Sequence, residues 1–300
     1  MKVLSLFDGI SCGMVALERE GIPVEQYDAY EIKPHAIKIS KKNYPQIEHR
    51  GDVMTADFTK HSGCDLLFAG FPCQDLSINK AERKGLRGER SGLFWQAVRA
   101  IHEADPKYFL IENNHKMPGS DKNTISKVLG VEPILINSAL VSAQQRNRLY
   151  WTNIPNIKLP CQKQVNVVDI IDFNAKAENL FDEVVFNTRS HLGKRHFKPL
   201  RIGTIGKGGQ GERVYSIYGK TVTLTANGGG RGAKTGLYLI GDEVRKLTPL
   251  EAERAQTLPD NYTEIDGISM TNRLNCIGDG WTVDVIAHIL SYLKKVEQWE

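Results

Sequence analysis

Cysteine is scarce and badly spaced for crosslinking. Cys12, Cys64, Cys73, Cys161 and Cys276 are odd in number and form no C-x-x-C pair, which argues against a disulfide framework and against a thiolate zinc site. The eight histidines show no ligand spacing, so no metal is expected. No stretch approaches the ~20 apolar residues of a membrane span, and no membrane partner is expected. The opening MKVLSLFDGISCG holds a Lys, an Asp and two Gly, too polar for a secretory leader. Internal repeats and low-complexity tracts are also missing. These absences lead us to expect a cytoplasmic chain with reduced thiols, in which a special cysteine is a candidate for chemistry.

What is present is soluble globular composition, 41% hydrophobic and 25% charged over 300 residues, enough for one large α/β domain or two unequal ones. The net charge of +4 is unevenly placed. Phe186–Ile240 carries ten Lys/Arg against one acid, Glu212, a local +9 that leaves −5 for the rest. A basic segment beside an acidic body suits a polyanionic partner. A merely solvated face is the alternative. Glycine favours the first reading, because twelve of the 27 fall between Gly203 and Gly241, where they imply loops with close backbone approach.

Up to about residue 155, the runs KVLSLF, YDAYEI, DLLFAG, YFLIEN and PILINS alternate with helical spacing at Met14–Glu20, Pro34–Asn43 and Gly92–Ala104. That alternation predicts an α/β fold with a parallel sheet and with ligands at the carboxyl ends of its strands. Helical patterning returns at TPLEAERAQTL, which opens as a capping box, and at Trp281–Val296. The expected organisation is a body at 1–158, an inserted basic module at 159–243 and a return to the body at 244–300.

Four places fit chemistry. LFDGISCG runs from a strand through a glycine turn into a helix, a arrangement suited to a nucleotide-bearing cofactor, although only Gly9 and Gly13 are in register. Glu31 is placed to accept from ribose hydroxyls and Asp52 to meet an adenine edge; helix capping or solvation is the alternative for both. Cys73 follows DLLFAG and Pro72, so a thiol is presented at a strand's carboxyl end, as a nucleophile or as an inert buried side chain. Glu112 and Asn113 end another strand. In QQRNRLYW, Gln144, Arg146 and Arg148 alternate, which on one strand would face all three the same way.

FDGISCG, GFPCQ, ENN, QQRNR, RKLTPLEAERAQTLP and GDGWTV occur in the order of the DNA cytosine-5 methyltransferases, and the resemblance spans Val3 to about Ile289. It implies a Rossmann-like S-adenosylmethionine-dependent methyltransferase sheet with a smaller, glycine-rich, mostly β target-recognition domain. It also implies double-stranded DNA as substrate and a monomer. By that resemblance Phe7, Asp8, Gly9, Gly13, Glu31, Ile32, Asp52, Val53, Pro72, Asp279 and Trp281 would bind the donor. Cys73 would be the nucleophile, Glu112 the group gripping a flipped cytosine, and Arg146 and Arg148 its positioning partners. Asn113 would brace the cysteine loop, with Gln144 structural.

The segment GKGGQGERVYS…TLTANGGGRGAKTG resembles the recognition region of bacterial modification enzymes that read GCGC. Gln210 would then fill the gap left by the flipped base and Arg213 would read a guanine, with Thr223, Asn227, Gly228 and Gly229 also at the DNA. The alternative is a flexible basic loop on phosphates. Two positions depart from the family pattern: Asn114 where many relatives have Val, and Asp279 where they have Asn, the latter near the expected donor site. Methylation of transfer RNA and DNA binding without catalysis are the competing functions. A bacterial or phage origin, beside a restriction partner or without one, is expected.

Overall fold

The computed structural model describes residues 1–72, 91–187 and 193–297. Cys73 therefore lies outside the described residues. The chain divides into two compact units, the first made of 1–136, 147–159 and 287–300, the second of 137–146 and 160–286.

The first unit is built on a seven-stranded sheet. Its strands are β1 (Lys2–Leu6), β2 (Gln26–Tyr30), β3 (Glu48–Gly51), β4 (Leu66–Ala69), β5 (Tyr108–Asn114), β6 (Ile134–Asn137) and β7 (Asn147–Thr152). The order is β3-β2-β1-β4-β5-β7-β6. Pairings β3–β2, β2–β1, β1–β4 and β4–β5 are parallel, and β5–β7 is antiparallel. Strands covered on both faces read as unbroken apolar runs. β4, LLFA, is buried at every position. All five strands expected from apolar runs form.

Helices α1 (Cys12–Arg19), α2 (Pro34–Asn43), α3 (Phe94–Ala104) and α4 (Gly119–Leu129) fill the connections. α2 begins at a proline, whose fixed φ suits the first helical position. α4 ends at Gly130, left-handed at φ 70°, which a side chain would resist. The start expected at Gly92 is a 3₁₀ turn over Ser91–Leu93, with α3 following. Leu4, Leu6, Leu67, Phe94, Ile111 and Trp151 share the core of this unit.

The second unit carries a five-stranded sheet of β8 (Val185–Phe186), β9 (Arg201–Thr204), β10 (Arg213–Ser216), β11 (Leu237–Ile240) and β12 (Glu243–Lys246), ordered β12-β11-β10-β9-β8. It also holds α5 (Pro249–Ala255) and α6 (Met270–Asp279). The capping box expected at TPLE is present, with Thr248 and Glu251 exchanging hydrogen bonds. Residues 244–286 group here rather than with the first unit. Arg245 on β12 forms a buried bidentate pair with Glu251 on α5, and Leu274 and Ile277 of α6 join a core with Tyr215 and Tyr238. The last helix, α7 (Val283–Glu297), carries the chain back to the first unit at Ala287.

Candidate active site

In the first unit β1 and β4 are neighbours, and the strand order runs outward from them on both sides. That reversal opens a crevice at the carboxyl ends of the strands. The glycine turn after β1, Glu31 after β2, Asp52 after β3, Pro72 after β4 and Glu112 near the end of β5 all belong to this edge.

The turn after β1 is built from three left-handed residues, Phe7 (φ 57°), Gly9 (φ 61°) and Ser11 (φ 59°). Two of them carry side chains, so the conformation needs outside support. The Asp8 N–H donates to the Tyr30 carbonyl, and the Gly9 N–H donates to Glu31 Oε2 at 2.9 Å. Glu31 Oε1 accepts from the Ile32 and Lys33 N–H groups at 2.8 and 2.9 Å. About one of the four acceptor positions of a carboxylate is then left to a ligand hydroxyl. Beside it, Ile32 is 65% exposed and Met54 is 58% exposed. Asp52 Oδ1 accepts from the Met54 N–H at 2.9 Å. Carboxylates, bare apolar side chains and a half-buried Phe7 ring at one edge of the sheet suit the hydroxyls, amine and flat faces of an adenosine.

Three residues expected at the donor turn inward. The Asp8 carboxylate accepts from the hydroxyls of Ser5 (2.6 Å), Tyr27 (2.8 Å) and Ser11 (2.5 Å). Burial pushes this carboxyl up, opposed by those three bonds, and the Glu31 charge adds to the rise. Gly13 serves packing, because a Cβ there would stand 2.8 Å from the Phe68 ring. The Val53 side chain lies in the core, and its carbonyl accepts from Arg99 at 2.8 Å. Arg99 on α3 also donates to the Ala56 carbonyl and lies over Phe58, so it fixes the whole 53–56 turn. Nothing in the sequence around Arg99 signals this role.

At the other side of the crevice, Asn113 is 2% exposed and donates from Nδ2 to the Phe71 carbonyl at 3.0 Å. That carbonyl is two residues ahead of Cys73. Glu112 Oε1 lies 2.8 Å from Arg148 Nε, with both side chains nearly buried. Asn114 pairs with Arg148 in the antiparallel register, so Glu112 meets Arg148 diagonally. His115 hydrogen-bonds through Nδ1 to the Asn147 carbonyl at 3.1 Å. Burial holds this histidine below its usual value, with the Lys116 and Arg148 charges, against the pull of that carbonyl.

The single-strand reading of QQRNRLYW is corrected. β7 starts at Asn147, so Arg148 lies on it while Gln144 and Arg146 belong to the second unit. There Arg146 is 4% exposed and donates to the carbonyls of Leu224 (3.0 Å), Gly278 (3.2 Å) and Gly280 (3.0 Å). Gln144 donates to Gln256 and accepts from the Leu224 N–H, both at 2.9 Å. Gln256 in turn holds the Ile277 carbonyl and accepts from Thr282. Gln256 and Thr282 were not singled out in the sequence, although RAQTLP and GDGWT contain them. Gly278 permits the closeness, since a Cβ there would stand 2.5 Å from the Thr225 carbonyl carbon. Asp279 is exposed at the end of α6, and Trp281 is partly exposed just beyond it.

In the basic segment the glycines meet each other. A Cβ on Gly211 would fall 2.0 Å from the Gly229 carbonyl oxygen, and the Gly232 N–H donates to the Gly211 carbonyl at 2.6 Å. Part of the glycine content is thus spent on joining two loops backbone to backbone. Gln210, Asn227, Gly228 and Gly229 are exposed. Thr223 is tied inward, its hydroxyl donating to the Gln145 carbonyl at 2.7 Å. Arg213 Nε is buried without a hydrogen-bond partner among the described residues. No group of described His, Cys, Asp or Glu side chains is placed to hold a metal. No described helix is long and apolar enough to cross a membrane.

A family model described as C-5 cytosine-specific DNA methylase matches residues 1–156 and 134–295. The type II methyltransferase M.HhaI of Haemophilus parahaemolyticus is 32% identical over 282 residues, covering 87% of this chain and 85% of that one. The orphan methyltransferase M.Rho11sI of Bacillus phage rho11s is 26% identical over 93% of this chain and 68% of its own length. Among solved structures, the Entamoeba histolytica methyltransferase EhMeth superposes with a TM-score of 0.72 at 18% identity, covering 99% and 98% of the two chains. The S. pombe Dnmt2 methyltransferase gives 0.66 at 16% identity, over 99% of each chain.

Proposed function

This chain belongs to the C-5 cytosine-specific DNA methylases, and from that premise we propose how its own residues divide the reaction. It is a DNA (cytosine-5-)-methyltransferase, with DNA as substrate and S-adenosylmethionine as methyl donor. The fold is the mixed α/β methyltransferase fold of its structural neighbours.

The turn Phe7–Gly9, Glu31, Ile32 and Asp52 hold the donor, with Glu31 on the ribose and Phe7 on the adenine. When bound, S-adenosylmethionine supplies its methyl group as an electrophile. Carbon 5 of cytosine is too weak a nucleophile to take it unaided. Cys73 adds its thiolate to carbon 6, breaking the 5,6 double bond and placing electron density on carbon 5. Glu112 accepts from the exocyclic amine and, in its protonated form, donates to ring nitrogen 3, where negative charge develops, while Arg148 holds Glu112 in place. Once carbon 5 carries the methyl group, a base takes its proton, the double bond re-forms and the Cys73 thiolate leaves. The ring is attacked on its face, so the cytosine must first leave the stack.

One observation carries this reading. Adjacent residues at the end of β5 are both committed, Glu112 to Arg148 and Asn113 to the backbone leading to Cys73. A structural carboxylate would not need to sit at the ligand edge of the sheet beside the held Phe71 carbonyl.

The basic segment recognises a short GC-containing site. Gln210 enters the helix, a role supported by its exposure, and Arg213 at the start of β10 reads a guanine. Arg146 and Gln144 act from behind, pinning the Leu224 backbone beneath the exposed Asn227–Gly229 loop. The protein works in the cytoplasm of a bacterium, where phage and host DNA meet it.

The test is mass spectrometry of nucleosides from duplex DNA treated with the protein and S-adenosylmethionine. 5-Methylcytosine is expected with wild type and not with Cys73→Ser, which should still bind DNA. Product from Cys73→Ser would overturn the nucleophile, and preferential methylation of transfer RNA over duplex DNA would overturn the substrate.

A further inference from the structure

A buried chain of hydroxyls leads away from the glycine turn to a histidine that the reaction does not use. Asp8, between Phe7 and Gly9, receives hydrogen bonds from Ser5 on β1, Tyr27 on β2 and Ser11 at the start of α1. Ser11 Oγ is 2.6 Å from Ser40 Oγ on α2, and Ser40 Oγ is 3.1 Å from His49 Nε2 on β3. Both serines are fully buried.

Donor counting fixes the direction of every bond. A hydroxyl has one proton to give. Ser11 gives its proton to Asp8, so it must accept from Ser40. Ser40 is then spent as a donor and must accept from His49, which therefore carries its proton on Nε2. His49 Nδ1 is left bare, consistent with its being buried without a partner among the described residues. Burial also holds this histidine below its usual value, against the attraction of Asp8 and Glu31.

We propose that His49 is a positioning residue for the methyl donor, acting through Ser40 and Ser11 on Asp8 to hold the left-handed Phe7–Gly9 turn. The reason is mechanical. Phe7, next to Asp8, holds a left-handed φ that a side chain resists, and the same turn gives its Gly9 N–H to Glu31. A carboxylate held by three donors from three elements cannot rotate, so neither can the flanking residues, Phe7 at the adenine and Gly9 at the Glu31 carboxylate. Removing the far donor leaves Ser40 free to turn its proton elsewhere, Ser11 loses its partner and Asp8 is loosened. The inference rests on the assignment of this turn to the donor.

The test is calorimetric binding of S-adenosylmethionine to wild type, His49→Leu, His49→Gln and Ser40→Ala, with steady-state kinetics on duplex DNA. His49→Leu and Ser40→Ala should bind the donor about tenfold more weakly, the size of one buried neutral hydrogen bond. His49→Gln, which offers an N–H donor again, should recover most of the affinity. KM for the donor should rise with little change in kcat or in KM for DNA. Unchanged donor affinity in Ser40→Ala, or a His49→Gln as weak as His49→Leu, would overturn the proposal. So would an equal rise in both KM values, the mark of a general loss of structure. Ser40→Ala breaks the chain from another element, so the result does not depend on His49→Leu folding well. A wild type that binds no donor would overturn the donor-site assignment, and this proposal with it.

Discussion

Arg148 sets its Nε 2.8 Å from Glu112 Oε1 across the antiparallel pairing of β5 and β7. The side chains are 13% and 10% exposed, so neither charge is well hydrated. Removing one member of such a pair leaves the other uncompensated, at a cost of ~3–5 kcal/mol. Arg148→Ala is expected to lower the melting temperature and to slow single-turnover methylation by about 10²-fold or more at saturating donor. Arg148→Lys should fall between, because an ammonium keeps the charge without the planar fork. Full turnover in Arg148→Ala would remove Glu112 from the reaction as described.

Asn113 offers a second test of the same edge. Asn113→Ala leaves the Phe71 carbonyl without its donor, worth ~1–3 kcal/mol for a buried acceptor. The loss should fall on kcat, because the backbone it frees leads to Cys73, while donor affinity measured by calorimetry should hold. Asn113→Asp should behave no better, since a carboxylate cannot donate. A variant with wild-type kcat would mean the brace is structural only.

For recognition, Arg213→Ala should cost ~1–3 kcal/mol in DNA affinity and relax the choice of base at one position. Sequencing of the modified sites reads this directly; an unchanged preference would mean Arg213 touches no base. Affinity of the wild type should fall steeply with salt, as expected where a +9 segment displaces counterions from phosphates. A shallow slope would take that segment out of the interface.

Lys220 gives a pH dependence with a definite sign. It is buried, with Nζ donating to the carbonyls of Ser142 (2.8 Å) and Val165 (2.5 Å). Burial pushes it from 10.5 down to about 8, opposed by the Asp169 charge and aided by Arg195. Between about pH 8 and 10.5 the unfolded chain therefore holds the proton that the folded chain has released. Stability should rise with pH through that window. Denaturant unfolding of wild type against Lys220→Met should show the difference moving in favour of wild type from pH 8 to 10.5 and flat below pH 8. No relative movement would mean the amine keeps its proton when folded.

Much of the sheet was legible because a strand covered on both faces has to be apolar along most of its length, as KVLSLF, DLLFAG and YFLIEN are. Helix starts were legible where the signal is local, as at Pro34 and at Thr248 with Glu251. β3, whose EHRG is exposed at every residue but His49, has no such signal, and neither has α6. The glycine-rich segment gave its loops but not their partners, since composition cannot say whether Gly211 approaches a base or, as it does, Gly229.

The sequence alone determined the family, the order of the motifs and the candidates for the chemistry, because a thiol after a strand, a carboxylate at a strand end and a glycine turn are each a property of residue type and close spacing. Tertiary structure decided which of them face the crevice. Arg146 and Arg148 look equivalent two residues apart, yet one is consumed by three backbone carbonyls in the second unit and the other reaches Glu112 in the first. Gly9 and Gly13 look alike, yet one shapes the turn and the other makes room for Phe68. His49 carries no motif at all. The physical reason is common to these cases: a polar side chain takes whatever partner the fold brings within ~3 Å, and partners lying 36 or 42 residues away along the chain leave no mark on local sequence.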